Sequence, residues 1–322
     1  MITQVPGFWV GHASDFKNVT GCTVVLCPPG TVGSVDIRGS AAGTRQMDAL
    51  LGYHVVNEVH GVFISGGSAF GLDAAGGVME YLEEQGRGFD VTITRVPIVP
   101  TAVIYDLSLG NCRSRPDKAM GYQACQAAHH EAQGDGSIGA GTGASIGKLL
   151  GIRQATKGGL GTSFIEGPHG LRVGALAVVN AFGDVVDPDT GEILAGARTA
   201  EDSREFADSA GLIRQGVVRR RFGEPNTTIG VIATNARLTR EEAQKIAQMG
   251  HNALARCIRP VHTLFDGDTV FVLAHPEIAG DLHIVGLLGE TALQQAILQA
   301  VKSAHGLGVL SSYQDLRGEE RE

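Results

Sequence analysis

The run Val173-Gly174-Ala175-Leu176-Ala177-Val178-Val179-Asn180 carries a single polar side chain, at its end. A strand with one wet face alternates polar and apolar residues, so a strand without alternation has to be covered on both sides. The chain therefore calls for a sheet with further layers above and below it, and 322 residues are enough to build one. Thr156 to Ile165 reads as the antiparallel neighbour of this strand, joined through Gly167-Pro168-His169-Gly170. Forty-six glycines with only 5% aromatics point to an interior of Ala, Val, Ile and Leu, with close backbone contacts. Asn180 ends the buried run as an amide that must find partners, and its NH2 is a candidate oxyanion donor.

A second stretch, Gly223-Glu224-Pro225-Asn226-Thr227-Thr228-Ile229-Gly230-Val231-Ile232-Ala233-Thr234-Asn235, runs from a turn straight into a β-branched strand. Pro225 makes its predecessor extended, Gly223 and Asn226 tolerate unusual dihedrals, and Thr228, Ile229, Val231 and Ile232 suit a half-buried pleat. If the bond between Asn226 and Thr227 is broken, Thr227 carries a hydroxyl and an α-amine on one residue. Such an amine titrates near ~7.7–8.0, so it can take the hydroxyl proton without a separate histidine. Locally, a Thr-Thr pair opening a strand is also simply a strand start.

Elsewhere Gly21 to Cys27 reads as a strand closed by Pro28-Pro29-Gly30, with Val32 to Arg38 as its antiparallel partner. Met47, Leu50, Leu51, His54, Val55 and Val59 recur at helical spacing and predict a helix from Thr44 to Val59. His60 to Ser65 predicts a buried strand leading into Gly66-Gly67-Ser68-Ala69-Phe70-Gly71 and a helix. Asp117 to Glu131 reads as another helix, and 200–218 as a weakly helical segment. Thr239 and Glu242 form a capping box before a long helix with Ala243, Ile246, Ala247, Gly250, Leu254 and Cys257 inward. Thr269 to Ala274 predicts a strand, followed by a last helix through Leu287, Leu293, Ile297 and Val301, and a charged tail from Arg317.

Several residues carry chemistry in one reading and packing in another. Ser68 on its strand-to-helix turn invites comparison with the G-x-S-x-G nucleophile elbow, but Phe70 stands where the last glycine is needed. The glycines around Ser68, Gly67 included, and Gly141 in Ser137-Ile138-Gly139-Ala140-Gly141-Thr142-Gly143 can instead bring backbone N–H groups close to a substrate. The same glycine run fails as a phosphate loop, with Thr142 where a glycine belongs and Leu149 where Ser or Thr belongs. Lys148 after it is either a pocket cation or a surface lysine. Tyr105, at the end of an extended apolar run beside Asp106, is either a pocket donor or a buried structural tyrosine. Asp266 and Asp268 flank Gly267 just before a strand, where they could converge on Thr227 or merely make a turn.

A net charge of −8 argues against nucleic acid as the partner, and the lone basic run, Arg219-Arg220-Arg221, reads as a solvated connector. Five cysteines with no CxxC pair and no zinc spacing read as free thiols in a reducing compartment. No signal-like start and no uninterrupted apolar stretch of membrane-spanning length is present, which leads to an expectation of a cytoplasmic protein needing no metal or cofactor.

Taken together, Ser65-Gly66-Gly67-Ser68-Ala69-Phe70-Gly71-Leu72-Asp73, Gly139-Ala140-Gly141-Thr142-Gly143-Ala144, Asn226 to Asn235, and Phe265-Asp266-Gly267-Asp268 occur in an order that resembles the L-aminopeptidase/D-Ala-esterase/amidase family. That family is related to β-aminopeptidases and nylon-oligomer hydrolases. The resemblance implies a four-layer αββα sandwich of the N-terminal-nucleophile-hydrolase kind, formed as one domain over residues 1–322. It also implies self-cleavage between Asn226 and Thr227, giving fragments 1–226 and 227–322 that assemble as a homo-oligomer of processed heterodimers. It makes Thr227 the nucleophile toward small peptides or amides, Asn180 an oxyanion donor, Tyr105 a pocket hydroxyl, and Lys148, Asp266 and Asp268 residues around the threonine. Leu264 and Asp266 stand where the β-aminopeptidase branch has serine and glutamate, which tilts the likeness toward the threonine-bearing branch.

Overall fold

The computed structural model describes residues 1–131, 134–217 and 225–318. The arginine run at 219–221, Gly223 and Glu224 of the turn, and residues 319–322 of the tail lie outside the described residues. Along the chain the main strands are β1 (Trp9–Asp15), β2 (Thr20–Leu26), β3 (Val32–Ile37), β4 (Thr44–Arg45), β5 (Gly61–Ser65), β6 (Thr101–Val103), β7 (Gly159–Glu166), β8 (Arg172–Asn180), β9 (Thr227–Arg237) and β10 (Thr269–Ala279). They make two five-stranded sheets, ordered β1-β2-β5-β6-β4 and β7-β8-β9-β10-β3. The main helices are α1 (Ala75–Glu84), α2 (Lys118–Gln126), α3 (Arg240–Cys257) and α4 (Leu282–Lys302).

Three apolar clusters show how these layers stack. Val25, Val62, Ile64 and Ala102 of the first sheet meet Leu176, Val178, Ile229, Val231 and Phe271 of the second in a core between the sheets. Val24 and Phe63 on the other face of the first sheet pack on Val78 and Leu82 of α1 and Ala124 and Cys125 of α2. Ala175, Ala177, Ile232 and Val270 pack on Ile246 and Leu254 of α3 and Leu293 and Ile297 of α4. The order is helices, sheet, sheet, helices: an αββα sandwich.

Strands β8 and β9 show why their sequences lack alternation. Odd and even residues both meet apolar layers, one set the opposing sheet and the other the helices. The half-buried pleat expected for Thr228 to Ile232 is in fact buried on both faces. Close packing of α4 explains one glycine directly: a Cβ on Gly161 would lie 2.3 Å from the Ala296 carbonyl oxygen. The capping box at the start of α3 forms as expected, with Thr239 Oγ1 accepting from Glu242 N at 3.2 Å and Glu242 Oε2 from Thr239 N at 2.8 Å.

Other expectations fail for physical reasons. Val32 to Arg38 does not pair with β2; β3 joins the second sheet, antiparallel to β10, because the Pro28-Pro29-Gly30 segment carries the chain across rather than back. The helix expected over Thr44 to Val59 is replaced by β4, a single tight turn at Met47–Leu50 and a loop. Gln46 and Gly52 adopt positive φ, which breaks the helix, and Leu51 and Val55 of its supposed apolar stripe are exposed. In α4, Leu293, Ile297 and Val301 face inward while Leu287 is exposed. Helix α2 stops at Gln126, and the described residues of the 200–218 segment hold one short helix, Ser209–Arg214.

Candidate active site

Strand β8 ends, and β9 begins, at the same end of the second sheet, and Asn180 lies directly opposite Thr227 in their antiparallel ladder. Directly paired residues project to the same face, and by alternation this is the face of Leu176, Val178, Ile229 and Val231, turned toward the opposing sheet. Thr227 is 3% exposed and Asn180 fully buried.

Thr227 Oγ1 donates to the carbonyl oxygen of Asn226 at 2.5 Å. The same oxygen accepts the main-chain N–H of Gly267 at 2.7 Å. Asn226 in turn donates its N–H to Phe265 O at 2.7 Å, so the residue before Thr227 is tied through both its N–H and its carbonyl to the turn before β10. Gly267 must be glycine here: a Cβ would fall 2.9 Å from Thr227 Oγ1 and 2.8 Å from Ala42 Cα.

Asn180 is fixed in one orientation. Its Oδ1 accepts from Ser145 N at 3.0 Å and from Lys148 Nζ at 2.8 Å, and its Nδ2 donates to the Tyr105 carbonyl at 3.2 Å. An amide nitrogen has two hydrogens, so this arrangement leaves a second one to offer. Lys148, 1% exposed, also donates to the Asn180 carbonyl at 3.1 Å; the surface-lysine reading does not hold. Tyr105 reaches the cluster through its carbonyl, and its half-buried hydroxyl hydrogen-bonds to no described residue.

The two aspartates close the other side. Asp266 Oδ1 accepts from Phe182 N at 3.2 Å, and Oδ2 from Thr263 N at 3.0 Å and Thr263 Oγ1 at 2.5 Å. Asp268 Oδ1 accepts from Thr228 N at 2.8 Å, and Oδ2 from His262 N at 3.1 Å and His262 Nδ1 at 2.8 Å. Asp268 therefore grips the start of β9 directly, while Asp266 ties the turn before β10 to Phe182, just beyond the end of β8. Burial, with the neighbouring Asp268 carboxylate, pushes the Asp266 carboxyl up to about 6.

The glycine loops meet behind Asn180. Ser68 sits at φ 55° with its N–H on the Ile104 carbonyl at 3.0 Å, and its hydroxyl has no histidine partner among the described residues. Gly67 N donates to Asp106 Oδ1 at 2.7 Å, and Thr20 Oγ1 to Asp106 Oδ2 at 2.7 Å. Gly141 offers its carbonyl to Lys157 Nζ at 3.0 Å, and Lys157 also reaches the Gly158 carbonyl at 2.7 Å. Ser145, Lys157 and His262 had no place in the motif reading. The one available signal pointed to Lys157, a charged residue near the start of the strand expected from Thr156 to Ile165.

Burial lowers the Lys157 ammonium to about 7, against the opposing pull of Asp106. The unfolded chain keeps this proton up to about 10.5 and the folded chain only to about 7. Between those values the unfolded state binds more protons, so stability rises with pH. Above about 9 the buried thiols of Cys27, Cys125 and Cys257, each pushed up to about 12, reverse the trend, because they ionise only in the unfolded chain. The urea midpoint is expected to rise from about pH 7 to about pH 8.5, and Lys157→Met to flatten the rise. An equal rise in wild type and variant would remove Lys157 as its source.

The model of peptidase family S58 matches residues 1–311. The chain belongs to peptidase family S58. It is 40% identical to an uncharacterized aminopeptidase of Mycobacterium leprae over 352 aligned positions, covering 97% of this chain and 92% of the relative. It is 32% identical to a 6-aminohexanoate-oligomer endohydrolase of Kocuria over 92% of this chain and 84% of the relative. Among solved structures, the L-aminopeptidase D-Ala-esterase/amidase of Ochrobactrum anthropi superposes with a TM-score of 0.70 at 18% identity, over 98% of this chain and 92% of that one. That structure is described as a variant of the Ntn hydrolase fold, and the αββα layers of this chain share it. An S58 peptidase is a hydrolase of amide bonds, which fixes the class of chemistry for the chain.

Proposed function

We propose that the chain is a self-processing amidohydrolase whose nucleophile is Thr227. The observation that carries this reading is the Asn226 carbonyl oxygen, which accepts the Thr227 hydroxyl at 2.5 Å and the Gly267 N–H at 2.7 Å. A hydroxyl beside the carbonyl that precedes it, with a fixed donor on the oxygen, is the arrangement an N-to-O acyl shift needs. Thr227 Oγ adds to the Asn226 carbonyl carbon, negative charge gathers on the oxygen facing Gly267 N–H, and the C–N bond breaks as the hydroxyl proton passes to the Thr227 nitrogen. Water then hydrolyses the ester, leaving a carboxyl on Asn226 and a free amine on Thr227.

In turnover the freed amine takes the Oγ proton, Oγ attacks a substrate amide, and the second Asn180 Nδ2 hydrogen meets the oxyanion. The proton passes on to the leaving amine, and water releases the acyl group. Lys148 and Ser145 keep the Asn180 oxygen turned away, and Asp266 and Asp268 hold the turn that carries Gly267. Short peptides, amino-acid amides and ω-amino-acid oligomers are the substrates proposed, the first and last in keeping with the names of the relatives.

Intact mass of the purified protein, paired with assays on aminoacyl nitroanilides and 6-aminohexanoate oligomers, tests the reading. Two species meeting at Asn226 and Thr227, with amide hydrolysis, are expected. A full-length chain that hydrolyses amides would overturn it.

A further inference from the structure

Behind the Thr227 strand, the turn before β10 holds a histidine that the hydrolytic scheme leaves unused. His262 stands at φ 55°, in the left-handed region that a residue with a side chain adopts only when its surroundings fix it. Here Asp268 fixes it, because Oδ2 accepts both the His262 N–H at 3.1 Å and its ring Nδ1 at 2.8 Å. The other oxygen of the same carboxylate accepts the N–H of Thr228 at 2.8 Å. Thr228 follows the residue whose hydroxyl faces the Asn226 carbonyl. The ring is braced from behind: His251 of α3 meets it edge-on with centroids 4.8 Å apart, and His251 Nε2 bonds to the Asp36 carbonyl of β3 at 3.0 Å.

We propose that His262 is a positioning residue for both self-cleavage and turnover, holding one oxygen of Asp268 so that the other grips the Thr228 amide and sets Thr227 against Gly267 and Asn180. The proposal rests on the reading of Thr227 as nucleophile. Once cleaved, Thr227 keeps only its C-terminal peptide bond, so the grip on Thr228 N–H is the nearest restraint on the β10 side of the nucleophile. Small errors of placement at a reacting oxygen cost rate steeply while leaving ground-state binding largely intact.

The test compares His262→Gly with His262→Asn. Both tolerate the left-handed backbone, but only asparagine returns an N–H donor near the position of Nδ1. With H262G, self-cleavage and kcat are expected to fall roughly 10- to 100-fold while KM hardly moves, and Thr228 N–H is expected to exchange faster with deuterium. With H262N, most of each loss is recovered. Wild-type cleavage, kcat and Thr228 exchange in H262G would overturn the proposal, and so would an H262N variant as impaired as H262G, which would assign the effect to the ring contact with His251. Should the wild-type chain neither cleave nor hydrolyse amides, the reading of Thr227 fails and amide exchange still decides this one: protection lost in H262G and regained in H262N supports the positioning, and unchanged protection overturns it.

Discussion

Thr227→Ala is expected to give one uncleaved 322-residue chain with no measurable amide hydrolysis, where the wild type gives fragments 1–226 and 227–322. The substitution removes the one hydroxyl held against the Asn226 carbonyl, at 2.5 Å, and without it neither the acyl shift nor the later acyl-enzyme can form. Loss of a nucleophile that acts as part of a unit lowers kcat by on the order of 10⁴ or more. The fold should survive. Thr227 contributes a small side chain at the first position of a strand whose core contacts begin at Ile229, so the stability cost is about 1 kcal/mol. Thr227→Ser separates chemistry from shape: it keeps the hydroxyl and loses a methyl, and should still cleave, more slowly. Intact mass and thermal unfolding on the three proteins check this. A Thr227→Ala chain that cleaves, or that hydrolyses amides at the wild-type rate, would move the nucleophile elsewhere, with Ser68 the first residue to examine.

Much of this site was legible in the sequence, and the reason differs residue by residue. Val173 to Asn180 was recognisable as a strand buried on both faces because a strand without polar alternation has no other place in a fold, whereas Thr227 to Asn235 read only as a strand with a half-buried pleat, and its pairing with Asn180 is a tertiary event. Asn180 then stood out as a polar group at the end of an apolar run, which is a demand for partners that local sequence states but cannot answer. Its answer comes from Ser145, Lys148 and the Tyr105 carbonyl, three segments far apart in sequence. Periodicity misled where exposure decided the outcome. Leu51, Val55 and Val59 recur at helical spacing, yet positive φ at Gln46 and Gly52 leaves a loop there. The roles of Asp106 and Lys157 could not be read, because each is set by a glycine loop folding onto it. The choice of partner for β3 is likewise a tertiary event, since β2 is flanked on both sides by β1 and β5 and β3 pairs instead with β10 in the other sheet.

Asn180→Ala is expected to reduce kcat by roughly 10²- to 10³-fold, the effect of removing one donor from an oxyanion site, and to lower stability as well. Both losses have the same source. In the proposed mechanism the alanine removes the oxyanion donor, and in the structure it strips the side-chain acceptor from Ser145 N–H and one of the Lys148 acceptors in a fully buried setting. Leaving such groups short of partners costs about 1–3 kcal/mol. Asn180→Asp divides the two effects. A carboxylate still accepts from Ser145 and Lys148, so much of the stability should return, but it has no hydrogen for an oxyanion and places an oxygen against the Tyr105 carbonyl that Nδ2 now meets at 3.2 Å. Its kcat should therefore stay as low as that of Asn180→Ala. Urea midpoints and saturation kinetics on an aminoacyl nitroanilide distinguish the outcomes. If Asn180→Asp turns over close to wild type, Asn180 acts by holding Lys148 in place, and the oxyanion is met by main-chain N–H groups alone.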